Sequence, residues 1–220
     1  MNLRYDAILW DLDGTLLNTL DDLWLSVNAA LEANGLPTRS REEVAAFTGN
    51  GIRLLMERAV PADCAEATRR AAFDFFCTHY KAHCEDHTRP YDGVLPLLAR
   101  IQAAGGRCAI VSNKAAFAVE ELAARYFPDT IAAAIGATDT RRTKPAPDMV
   151  NAALEQLGVP RERALYIGDS EVDVATADAA GLDSVIVTWG FRSREQLVAA
   201  GAKRFADTPE ALAAYIFEEA

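Results

Sequence analysis

The chain has 220 residues, half of them hydrophobic and a quarter charged, the mix of a globular protein with a substantial core. Its longest apolar runs, such as Cys108-Ala109-Ile110-Val111, fall short of the about twenty residues that span a bilayer. A net charge of −10 repels nucleic acid and anionic lipid alike, so neither nucleic acid nor membrane is expected as a partner.

The start, Met1-Asn2-Leu3-Arg4-Tyr5-Asp6, runs straight into a strand-like segment without the charged and apolar regions of a secretory signal, and export is not expected. Cys64, Cys77, Cys84 and Cys108 lie at uneven intervals with no C-x-x-C pair, which fits a reducing cytoplasm rather than a disulfide framework or a zinc ribbon. The first predicted strand is Ala7-Ile8-Leu9-Trp10, ending at Asp11. From residue 18 to 88 the pattern turns helical: Leu20, Leu23, Trp24, Val27 and Leu31 recur at helical spacing, as do Ile52, Leu55, Met56 and Ala59, and then Ala72, Phe75, Phe76 and His79. Glycine and proline breaks at Gly35-Leu36-Pro37, Gly49-Asn50-Gly51 and Pro61 separate these helices.

Four further strands follow, with amphipathic helices between most of them. They are Cys108 to Val111 before Ser112-Asn113-Lys114, Ile131 to Gly136 before Thr138 to Thr143, Leu165 to Ile167 before Gly168-Asp169, and Ser184 to Thr188 before Trp189-Gly190. Phe205 to Pro209 reads as a short edge strand leading to a last helix. Strands alternating with helices predict an α/β fold, a Rossmann-like parallel-sheet core with an inserted helical cap. The core takes residues 1–17 and 89–220, the cap residues 18–88. Such sheets bind ligands beyond the carboxyl ends of their strands, where the polar clusters fall.

Asp11-Leu12-Asp13-Gly14-Thr15-Leu16 places two carboxylates around a glycine turn, so that one could attack phosphorus while the other handles a proton, the alternative being a plain acidic surface turn. Ser112-Asn113 offers a hydroxyl and a backbone N–H to phosphate oxygens, although a Ser-Asn pair after a strand also makes a plain helix N-cap. Lys144, in Thr143-Lys144-Pro145-Ala146-Pro147-Asp148, is presented from a stiff loop; a solvated loop lysine is the alternative. Asp169 can ligate a hard cation and Asp173, one helical turn on, can reach the same site, or Asp169 caps the helix. His79, His83 and His87 recur every four residues beside Cys84, which stacks them on one helical face, but with Glu85 and Asp86 adjacent a polar surface face is the preferred reading over a metal site.

The four motifs, each at a predicted strand end and in this order, resemble those of the haloacid dehalogenase-like hydrolase superfamily over nearly the whole chain. Within it, Asp11 to Asn18, Thr48-Gly49-Asn50-Gly51, Ser112-Asn113-Lys114, Thr143 to Asp148 and Gly168 to Asp173 are similar to phosphoglycolate phosphatases and their near relatives. The resemblance implies a magnesium-dependent phosphatase in which Asp11 forms an aspartyl-phosphate and Asp13 serves as acid and then base. It implies Mg²⁺ held by Asp11, the Asp13 carbonyl and Asp169 with support from Asp173, and phosphoryl oxygens held by Ser112 and Lys144. Gly14, Thr15 and Asn113 are assigned to the substrate with them, as are Asn50 and Arg53 in a cap that closes over the site. Asp13 argues against dehalogenation, since the dehalogenases of that superfamily lack this acid. The expected substrate is a small phosphorylated metabolite, with 2-phosphoglycolate foremost. A pyrophosphatase, a sugar or nucleotide phosphatase, a phosphomutase, or a regulatory phosphate-binding protein are the alternatives, and a monomer or homodimer in the cytoplasm is expected.

Overall fold

A computed structural model describes residues 2–218. Six strands form one parallel sheet: β1 (Ala7–Trp10), β4 (Arg107–Ala115), β5 (Ile131–Ala137), β6 (Ala164–Gly168), β7 (Asp183–Val187) and β8 (Phe205–Ala206), in the order β5-β4-β1-β6-β7-β8. β1 is central, its four residues wholly buried between β4 and β6. That burial on both faces is why it reads as an unbroken apolar run rather than an alternating one. The order reverses direction at β1, so the crevice beyond the carboxyl ends of β1, β4 and β6 is where a ligand is expected.

Helices α5 (Val94–Ala103), α6 (Ala116–Tyr126), α7 (Asp148–Leu157), α8 (Glu171–Ala180), α9 (Arg194–Ala199) and α10 (Pro209–Ile216) accompany the sheet. Met149, Val150, Ala153, Leu154 and Leu157 of α7 pack with Leu9, Val111, Ile135 and Tyr166 in one apolar cluster, the periodic face of the helix meeting the flat face of the strands.

The chain divides into two compact units, Met1–Leu16 with Pro90–Ala220, and Leu17–Arg89. The second is helical: α1 (Leu20–Ala33), α2 (Arg41–Phe47), α3 (Gly51–Ala59) and α4 (Glu66–His83). Leu20, Leu23, Val27 and Leu31 form the buried stripe of α1, and Ala72, Phe76 and Tyr80 that of α4. Helix α2 escapes the periodicity, being seven residues long, and is announced instead by its capping box: Glu43 N–H donates to Ser40 Oγ and Ser40 N–H to the Glu43 carboxylate. Short strands β2 (Leu17–Asn18) and β3 (Arg89–Pro90) pair with each other.

Three expectations need revision. Ser112, Asn113 and Lys114 do not follow β4 but lie within it, because the strand continues to Ala115 after a register shift against β5. The histidines do not share one helical face, because α4 ends at His83 and His87 lies beyond it. Their Nδ1 atoms have separate partners: Ser26 Oγ for His79, Asp86 for His83 and Asp22 for His87. Finally, the strand at residue 184 begins one residue earlier and stops at Val187.

Candidate active site

β1 delivers Asp11 to the middle of the sheet edge, where its N–H extends the ladder by donating to the Ile167 carbonyl at 2.8 Å. The chain then turns sharply, with Leu16 N–H donating to Leu12 O at 3.0 Å and Gly14 at φ +87°. Only glycine fits there, since the backbone is left-handed and a Cβ would collide with the Asp169 carboxylate. Gly190, after β7, lies equally close to Asp169, and Gly168 to Asp173. Three glycines thus leave the space that two acidic side chains occupy.

Lys144 ties the motifs together. Its ammonium lies 2.8 Å from Asp11 Oδ1 and 2.8 Å from Asp173 Oδ1, and 3.2 Å from the Tyr166 hydroxyl. The Tyr166 hydroxyl also donates to Asp173 Oδ1 at 2.9 Å. The other Asp173 oxygen accepts from the Asp169 and Ser170 N–H groups at 3.2 and 3.1 Å and from Ser170 Oγ at 2.6 Å. Asp173 is the third residue of α8 and completes a capping box with Ser170, so one side chain starts the helix and fixes the lysine. Asp169 accepts from Thr15 Oγ1 at 3.2 Å and from Phe191 N–H at 2.8 Å.

Carboxylate oxygens of Asp11, Asp169 and Asp173 lie within 4.8 Å of one another, all buried. Burying one ion costs several kcal/mol, and a single lysine cannot compensate three carboxylates. Burial pushes Asp11 well above the usual carboxylate range despite the opposing charge of Lys144, with Asp173 and Asp169 adding to the rise. Burial and the neighbouring Asp173 likewise push Asp169 up to about 7. Burial would raise Asp173 too, but Lys144 and the hydrogen bonds from Lys144, Ser170 and Tyr166 hold it below its ordinary value. Burial would discharge Lys144, and Asp11 and Asp173 outweigh that and push it well up. Lys144 and Asp173 therefore form the ionised pair. Burial and crowding favour the protonated forms of Asp11 and Asp169; a divalent cation would take the place of those protons, and an all-oxygen donor set suits a hard cation.

The other candidates fall in several places. Asp13 lies beyond the triad and pairs with Lys114, whose ammonium is 3.1 Å from Asp13 Oδ1. Ser112 is buried inside β4, its Oγ accepting from Lys114 N–H at 3.3 Å. The Asn113 side chain bonds the Lys144 backbone in both directions, donating to the carbonyl at 3.1 Å and accepting from the N–H at 2.8 Å. It thereby fixes the loop that carries the lysine, next to the cis peptide bond between Lys144 and Pro145. Asn50 and Arg53 belong to the helical unit, where Asn50 precedes α3 between the positive-φ glycines 49 and 51, and the exposed Arg53 lies 5.3 Å above the Phe73 ring. Tyr166 was not anticipated. Its signal is a phenol in an otherwise aliphatic buried strand, since a buried hydroxyl needs a partner.

Residues 8–187 match the profile of the family described as haloacid dehalogenase-like hydrolase. The chain belongs to that family. As a haloacid dehalogenase-like hydrolase it is similar to the phosphoglycolate phosphatase of Cereibacter sphaeroides (strain ATCC 17025), 35% identical over 84% of this chain and 86% of the relative. The phosphoglycolate phosphatase of Mesorhizobium japonicum is 36% identical over 85% of this chain and 84% of its own length. Among solved structures, a Lactobacillus delbrueckii subsp. bulgaricus protein provisionally named a phosphoglycolate phosphatase superposes with a TM-score of 0.92 at 33% identity, covering 97% of this chain and 99% of that one. CbbY from Rhodobacter sphaeroides, solved with xylulose 1,5-bisphosphate, superposes with a TM-score of 0.74 at 25% identity over 93% of this chain and 95% of that one. This hydrolase therefore falls in the phosphoglycolate phosphatase-like subgroup and is a phosphoric monoester hydrolase. No helix among the described residues is long and apolar enough to cross a membrane.

Proposed function

We propose that the enzyme is a magnesium-dependent phosphatase that hydrolyses a small phosphorylated metabolite through a phosphorylated Asp11, with 2-phosphoglycolate, converted to glycolate, as its substrate. The observation that carries this reading is the convergence of Asp11, Lys144, Asp169 and Asp173, drawn from three separate stretches of chain, at the carboxyl ends of β1 and β6. The names of the relatives support the substrate.

In the first step an Asp11 carboxylate oxygen attacks phosphorus and the bond from phosphorus to the ester oxygen breaks, its electron pair leaving with that oxygen. Asp13 gives the departing oxygen a proton. In the second step Asp13, now a carboxylate, takes a proton from water as the water oxygen attacks phosphorus, which frees phosphate and restores Asp11. Lys144, already 2.8 Å from Asp11, orients the nucleophile and meets the charge on the phosphoryl oxygens together with the Ser112 hydroxyl. Asp11, the Asp13 carbonyl and Asp169 would hold Mg²⁺, with Asp173 in support. When bound it would offset the repulsion between two anions. Thr15 and Gly14 keep Asp169 in place, and Asn113 does the same for Lys144, whatever contact each makes with substrate.

A screen of small phosphomonoesters with added Mg²⁺, using D11N as the blank, tests the reading. Turnover of 2-phosphoglycolate ahead of the other esters supports it, and no turnover of any ester by folded protein sinks it. The likeness to CbbY favours a sugar phosphate as the second substrate class, which the same screen resolves. Asn50 and Arg53 keep their assignment to substrate: R53A is expected to raise KM without changing the dependence on Mg²⁺, and unchanged kinetics would remove Arg53.

A further inference from the structure

Lys114 is a buried charge that the proposed chemistry does not use. Its side chain is only 6% exposed, and its ammonium lies 3.1 and 3.5 Å from the two carboxylate oxygens of Asp13. Asp13 is the more exposed partner, its side chain 22% accessible. The site's other buried lysine, Lys144, is held by Asp11, Asp173 and Tyr166 and cannot serve two regions at once. Burying a lysine costs several kcal/mol unless anionic groups attend it, and Asp13 is one that does. The ammonium is a compact point charge on a flexible stem, suited to exchanging one anionic partner for another.

Its position says which partner. Resting on the reading that Asp13 protonates the leaving oxygen, whatever touches the Asp13 carboxylate stands beside the carbon that the oxygen carries away. When that carbon bears a carboxylate, one carbon alone separates the anion from the departing oxygen. A cation in contact with Asp13 then reaches this anion by a change of rotamer.

We infer that Lys114 forms the subsite for a substrate carboxylate, such as that of the 2-phosphoglycolate already assigned, and so selects it over phosphoesters that lack one. In the free protein Asp13 occupies the subsite. In the complex the substrate carboxylate takes a share of the Lys114 ammonium, which charge-assisted pairing favours in a nearly water-free position. Lys114 thus determines specificity, while the attack on phosphorus is left to Asp11.

The test compares 2-phosphoglycolate with ethyl phosphate, which replaces the carboxylate by a methyl group, on the wild-type enzyme, K114M and K114R, all with Mg²⁺. The wild type should prefer 2-phosphoglycolate. K114M should lose at least about tenfold more kcat/KM on 2-phosphoglycolate than on ethyl phosphate, chiefly through KM, and K114R should restore part of the preference. Equal losses on the two esters, or no loss on either, would overturn the subsite and leave the phosphatase reading standing. A wild type inactive on both esters but active on others would overturn the subsite and the assigned substrate, and inactivity on every phosphomonoester would sink the phosphatase reading as well. Should K114M not fold, K114Q reads the same ratio.

Discussion

Asp22 and Asp173, one in each unit, are both almost completely buried, and they do different work. Asp22, in the helical unit, is 1% exposed and accepts four hydrogen bonds, from the N–H of His87 to both its oxygens, from His87 Nδ1 and from Thr88 N–H, at 2.8 to 3.1 Å. Asp173, in the α/β unit, is wholly buried and also well supplied with donors, from Lys144, Tyr166, Ser170 and the Asp169 backbone. The difference is in the company. The groups that bond Asp22 are donors, so its carboxylate is satisfied and pins the chain just after α4. Asp173 shares its lysine with a second carboxylate and lies close to a third, an arrangement that stability alone disfavours. Burial of a charge marks a structural clamp as readily as a site, and it is the crowding of like charges that marks the site.

The sharpest way to break that contrast is at the crowded end. D11N should lower turnover at least ~10³-fold while the protein stays folded, since the change keeps shape and removes the proposed nucleophile. A smaller loss in steady-state kinetics would show that Asp11 is not the attacking group. K144M should both abolish turnover and destabilise the fold by about 3–5 kcal/mol in chemical denaturation, because Asp11 and Asp173 lose their shared cation. At the clamp, D22A should cost about 2–3 kcal/mol through the donors left unpaired in the His87-Thr88 segment. Its metal affinity by calorimetry should match the wild type, and a weakened affinity would erase the distinction between clamp and site.

A smaller effect concerns pH. Asp169 is raised from 3.8 to about 7 by burial and by Asp173, so its contribution to stability is complete below the unfolded value and is lost as the pH rises through about 7. A divalent cation held by Asp169 would take the place of that proton. The gain in melting temperature on adding Mg²⁺ should therefore be larger at about pH 8 than at about pH 6. Equal gains would mean that Asp169 does not exchange a proton for the metal.

The sheet was legible wherever side chains and backbone told the same story. β1 is read end to end because its apolar run stops at Asp11, and β5, β6 and β7 are found within a residue or so of their ends. At β4 the two stories part. Ser112, Asn113 and Lys114 read as a polar loop, yet the backbone continues as a strand, while Asn113 bonds the Lys144 backbone and Lys114 pairs with Asp13. The histidine pattern failed for a related reason: periodicity carries no stop signal, and after His83 the chain leaves the helix, with His87 and Thr88 bonded to Asp22. The residues of the four motifs stood out by their chemistry. Their supports did not, because Thr15 meets Asp169 across 154 positions and Lys114 meets Asp13 across 101, and no local pattern encodes such pairings.

Rapid acid quench of the wild-type enzyme during turnover of 2-phosphoglycolate, followed by peptide mass spectrometry, examines the chemistry at its source. One phosphoryl group on Asp11, absent from D11N and lost as product accumulates, is the expected result. Continued turnover with Asp11 never modified would contradict the account, because water would then attack the substrate directly and the crowded aspartate would have no covalent part in the reaction.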